Sequence, residues 1–207
     1  LNTYLYILLA FIFITVMILA LEYNKVNFRM TLWQLLGVFL LTLGVLVILM
    51  FTPVKYMIPK HLLWLLFVLL IGIIMYPMIR YTKNKDAILS ALLTTIFLVV
   101  ILSVVAFWKP EWISLSWGPV LFVLLLAGII LELTSIFIFG THRDSSSYTY
   151  KAFMYFFIVL FMFYVLYDTK LLQIRAKLCK IPDYLNESLN LFLDIVNIFV
   201  RILALGR

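Results

Sequence analysis

Residues 88–108 read ILSALLTTIFLVVILSVVAFW, 21 consecutive positions without a charged side chain. At about 1.5 Å of rise per residue such a segment forms a helix of about 32 Å, the thickness of a bilayer's hydrocarbon layer. Working outward, comparable apolar runs lie near Tyr4 to Leu21, Leu32 to Phe51, Leu62 to Ile79, Val120 to Phe139, Ala152 to Tyr167 and Leu189 to Leu205. None alternates polar and apolar residues as a barrel strand does, and in lipid every backbone polar group needs an internal partner. The sequence therefore predicts an all-α, polytopic transmembrane helical bundle: six spans plus a central seventh, or re-entrant, carboxyl-terminal helix, forming one transmembrane domain over residues 1–207.

Composition agrees. The chain is 66% hydrophobic and only 12% charged, with a mean hydropathy of +1.18; a water-soluble fold of 207 residues could not hide that much apolar surface. Its solvent is the lipid bilayer. The net charge of +7 is spread over short loops between the runs, as expected for contact with anionic headgroups and not for nucleic acid. A single cysteine, Cys179, rules out an internal disulfide and a cysteine-based zinc site. The chain starts at Leu1 and becomes apolar at once, so a hydrophilic segment is expected to precede it.

Turn residues mark the breaks: Thr52, Pro53 and Pro59, then Asn84 to Asp86, then Lys109 to Glu111, Gly140 to Ser147, and the long basic stretch Lys170 to Asn186. Pro77 falls inside the third run, where a helix should kink or end early. Lysines and arginines divide almost evenly between the two faces, so charge bias leaves the orientation open. His61 and His142 fall in breaks, where solvation explains them better than metal ligation, and Trp108, Trp112 and Trp117 suit an interfacial belt.

The informative residues are acids inside apolar runs, because a carboxylate at mid-bilayer depth costs about 2.5 to 3.5 kcal/mol even on the lenient scale. Asp194 lies within Leu191 to Val196. Asn186, Asn190, Asp194, Asn197 and Arg201 recur at steps of four, four, three and four, which makes a polar stripe expected to face the bundle interior. Asp168 ends the sixth run, but Leu171, Leu172 and Ile174 carry helical spacing past it. Neighbouring helices six and seven would let Asp168 and Asp194 share one proton, since two carboxylates in a dry site cannot both ionise cheaply. Glu132, between Leu131 and Leu133, is a candidate either for the ion path or for a structural hydrogen bond.

Tyr167-Asp168-Thr169-Lys170-Leu171-Leu172, followed by Leu189-Asn190-Leu191-Phe192-Leu193-Asp194-Ile195-Val196-Asn197, strongly resembles the signature of the Bax inhibitor-1, or transmembrane BAX inhibitor motif, family. Ala91 to Thr95 and Ser116 to Leu125 are similar to its Lifeguard and Golgi anti-apoptotic protein branch. The resemblance runs from about Lys55 to the end, the first two spans agreeing only in character. It implies six helices around a central carboxyl-terminal one, a pH-sensitive calcium leak in the endoplasmic reticulum or Golgi membrane, and suppression of cell death. The family's paired aspartates fall on Asp168 and Asp194. Where members often carry an arginine after the second span this chain offers Lys55 as charge partner, and where some carry one near the carboxyl terminus it has Ala204, with Arg201 three residues earlier. No cofactor and no tightly bound metal is implied: two aspartates and a few asparagines fall short of a calcium cage and suit a permeant ion.

Two rival functions come from other classes. One is a non-conducting apoptosis regulator that binds apoptosis-regulating or calcium-channel membrane proteins through its polar stripe. The other is an intramembrane aspartyl protease of the presenilin type, disfavoured because Leu191, Phe192 and Leu193 stand where that chemistry uses a Gly-x-Gly.

Overall fold

The computed structural model describes residues 2–24, 31–82, 84–139, 148–178 and 183–206, and among these it is all-helical. Seven helices follow one another: α1 (Asn2–Tyr23), α2 (Leu32–Phe51), α3 (Met57–Tyr81), α4 (Lys85–Trp108), α5 (Trp117–Phe139), α6 (Tyr148–Leu178) and α7 (Tyr184–Leu205), with a 3-10 turn at Pro110–Trp112. Six of them, all but α5, are long and apolar enough throughout their described residues to cross a membrane.

Polar residues at the breaks start the helices. Thr31 and Gln34 form a reciprocal capping box on α2, Asn84 Oδ1 accepts from the Asp86 amide to open α4, and Asp183 Oδ1 accepts from the Asn186 amide to open α7. Each satisfies donors that the helix cannot. Pro77 neither ends nor shortens α3, which runs on to Tyr81; the missing amide costs one ladder bond near the end of a helix held by its packing. The sixth run proves longer than its apolar content indicates. α6 has 31 residues, so Asp168 lies inside it and not at its end.

The helices pack as two compact units, and α7 gives its opening residues to the first and the rest, from Leu193, to the second. In the first unit α3 lies against α1 and α2. Trp64, Phe67, Val68 and Tyr76 are among its buried side chains on α3, and the Phe11 and Phe67 rings meet Phe192 at 5.4 and 6.4 Å between centroids. His61 is part of α3 and not of a break: its Nδ1 donates to the Met57 carbonyl at 2.7 Å, leaving Nε2 for the Tyr6 hydroxyl at 2.9 Å. His142, Cys179 and Arg207 lie outside the described residues. At Gly72 the atoms nearest an added Cβ would be the Met17 methyl, at 2.5 Å, and Ile14 side-chain carbons at 3.4 and 3.5 Å. A thioether end swings aside readily, so Gly72→Ala is expected to change stability in detergent by less than about 1 kcal/mol, helix propensity offsetting the shift; a thermal unfolding series checks it.

In the second unit α6 packs on α4 and α5, with Phe157, Leu160, Phe161 and Val165 buried along it. Outward faces stay apolar, with Leu8 and Val16 on α1, Phe97 and Val104 on α4 and Phe122 and Val123 on α5 all exposed. That much uncovered hydrocarbon belongs against lipid chains. Trp108 and Trp112 are exposed where α4 gives way to the 3-10 turn, the amphipathic position of an interfacial aromatic.

Candidate functional site: an aspartate pair and two ion pairs

Within the second unit, α7 carries Asp194 into the interior at 5% exposure. Its carboxyl is in hydrogen-bond contact with that of Asp168 on α6, and its buried Oδ2 has no hydrogen-bond partner among the described residues. Two carboxyl groups can share a hydrogen bond only if one brings a proton, because ionised carboxylates are acceptors alone. Tyr164, one turn before Asp168, interacts electrostatically with both acids, and Thr169, beside Asp168, is wholly buried. Gly118 lets α5 approach this corner: a Cβ there would meet the Tyr167 hydroxyl at 2.6 Å.

Seven residues beyond Asp194, Arg201 reaches Glu132 of α5 with both ends of its fork, Nη1 to Oε1 at 2.6 Å and Nη2 to Oε2 at 2.8 Å. This is the bidentate geometry that arginine supports and lysine does not. The guanidinium also stacks 4.3 Å from the Phe157 ring centroid and lies 3.8 Å from the Met154 sulfur. Glu132 is thus one half of an ion pair, a partner that its own neighbours in the sequence do not reveal.

The polar stripe of α7 is not covered along its whole length: Asn190 is exposed while Asp194 is buried. Asn186 donates to the Met50 carbonyl at 3.2 Å, and Asn197 donates back to Leu193 of its own helix at 2.9 Å. Interior placement therefore fails for Asn190. Lys55 is exposed, with its ammonium 4.8 Å from the centroid of the Tyr56 ring. Among the described residues of the first unit the buried cation is instead Lys60, at 1% exposure. Its Nζ donates to Asp183 Oδ2 at 2.5 Å and to the Thr52 carbonyl at 2.8 Å, so one ammonium joins the end of α2, the start of α3 and the residue that caps α7. Sequence spacing missed this ion pair; the available signal was Asp183 three residues before Asn186, an N-cap pattern whose side chain was due a partner. Among the described residues no three of His, Cys, Asp and Glu gather into a metal site.

A family model described as inhibitor of apoptosis-promoting Bax1 matches residues 1–205. The chain belongs to that family. The match reaches through α1 and α2, which had agreed with the Bax1-inhibitor pattern only in character. With six candidate spans, this Bax1-inhibitor family member is an apoptosis-related, multi-pass integral membrane protein in contact with the bilayer, from a family of membrane regulators and not a known enzyme family.

Proposed function

We propose that the protein is a pH-sensitive calcium leak of an intracellular membrane, endoplasmic reticulum or Golgi, that restrains apoptosis by lowering the calcium held in that store. The observation that carries this is Asp194, a carboxyl group buried in an apolar helix, in contact with Asp168 on the neighbouring helix and with one oxygen unpartnered among the described residues. An arrangement so costly in lipid is functional by default. The protonated pair holds α6 and α7 together through its shared hydrogen bond. Loss of the proton leaves two like charges in a site of low dielectric, which repel each other, loosen the contact and attract a divalent cation. Calcium is permeant and not resident, because two carboxylates with a few amide or hydroxyl oxygens supply fewer ligands than the six to eight of a tight site. The similarity to the Lifeguard and Golgi anti-apoptotic branch supports the location, and family membership supports the role in cell death.

The test is calcium efflux from liposomes holding the purified protein and an internal dye, measured from about pH 5 to 8. Efflux is expected to rise with pH, because the open arrangement is the deprotonated one. Asp168→Asn and Asp194→Asn each supply a permanent amide donor and remove the second charge, so both variants should lose the pH dependence and drop to about a tenth of the unsubstituted rate or less. Absence of efflux at every pH would transfer the protein to the class of non-conducting regulators that act by binding other membrane proteins.

A further inference from the structure

Asp194 and Arg201 stand two turns apart on one face of α7, separated by about 10 Å of helical rise, and Arg201 is clasped by Glu132 of α5 through two short hydrogen bonds. A cation that follows this face past Asp194 therefore meets a guanidinium next. We propose that the Glu132–Arg201 pair sets the charge selectivity of the path: Arg201 is a barrier to cations, and Glu132 masks it.

Three observations support this beyond the leak function on which it rests. The pair is largely withdrawn from solvent, with side-chain exposures of 15% for Arg201 and 27% for Glu132, so each charge acts at longer range than it would in water. Arg201 is fixed by more than its carboxylate: Phe157 lies under its guanidinium and Met154 beside it, so removing Glu132 strips the mask and leaves the barrier in place. Among the described residues the buried Nε of Arg201 finds no acceptor, so the guanidinium is incompletely satisfied even with Glu132 in place.

The two single neutralisations must then act in opposite directions. Glu132→Gln exposes the positive charge and should lower calcium efflux about tenfold, whereas Arg201→Gln leaves a carboxylate by the path and should raise it by a similar factor. Because the work of passing a fixed charge scales with ion valence, potassium efflux should change by only about threefold in each variant, the square root of the calcium effect. The double variant Glu132→Gln with Arg201→Gln should move back toward the unsubstituted rate. Each protein is first shown to be monodisperse in detergent. If Arg201→Gln does not fold, Arg201→Lys combined with Glu132→Gln replaces it, and this pairing should reproduce the tenfold loss because a cation remains without its mask. Changes in the same direction for both single variants, or equal factors for calcium and potassium, overturn the selectivity role while leaving the leak intact. A protein that passes no cation overturns the leak and this role together.

Discussion

Lys60→Met should lower the unfolding free energy of the protein in detergent by about 3 kcal/mol, the low end of the range for breaking a buried ion pair from one side. The ammonium is essentially sealed, with 2% of its side chain exposed, while Asp183 retains 24%; that residual access to water places the value at the lower end. The loss has three parts. Asp183 keeps its charge without a partner, the Thr52 carbonyl loses its donor, and the cap on α7 is no longer held in place. Asp183→Asn in the Lys60→Met background should recover part of the loss, because asparagine caps a helix as well as aspartate does and leaves no stranded charge. Circular dichroism during denaturant unfolding provides the measurement, and an unchanged midpoint for Lys60→Met would show that the pair contributes nothing.

The second large effect is steric. At Gly128 on α5 a Cβ would lie 2.8 Å from Cζ and 3.0 Å from Cε1 of Phe157, and 3.4 Å from Cε1 of Phe156. Unlike the methyl group facing Gly72, the Phe157 ring cannot step aside. It is 1% exposed, carries Phe153 and Phe161 against it and supports the Arg201 guanidinium. Gly128→Val is therefore expected to cost about 2 to 3 kcal/mol by overpacking. It should also disturb the Glu132 clasp, so a valine there should alter the calcium-to-potassium efflux ratio as well as the unfolding midpoint. A stable variant with unchanged ratio would mean that α5 can shift outward into lipid at no cost.

The spans were legible because a bilayer imposes a length on apolar sequence. The second run, Leu32 to Phe51, coincides with α2, where Thr31 and Thr52 supply sharp ends. α6 was cut short for the converse reason: from Asp168 onward it is amphipathic, and hydropathy alone stops at the first charge although the backbone does not. The meeting of Asp168 and Asp194 could be anticipated from cost, since two acids in adjacent apolar helices need each other. Partner choice for Glu132 and for Asp183 could not. Arg201 and Lys60 lie 69 and 123 positions away from them in sequence, and only the packing of side chains between helices decides such pairings. Asn190 was misplaced because spacing puts it on the same face as Arg201 but does not say how much of that face other helices cover, and at Asn190 it is exposed.

With 31 residues, α6 rises about 46 Å, some 15 Å more than an average hydrocarbon layer is thick. No ordinary tilt absorbs that excess. The helix must overhang, and Arg175 and Lys177 occupy its last turn, seven and nine residues past Asp168, or about 10 to 14 Å along the axis. The geometry is that of an oar in a rowlock: a rocking of about 10° at the aspartate would sweep the basic blade through about 2 Å, so a change at the pivot would reach the headgroup layer as a displacement of positive charge.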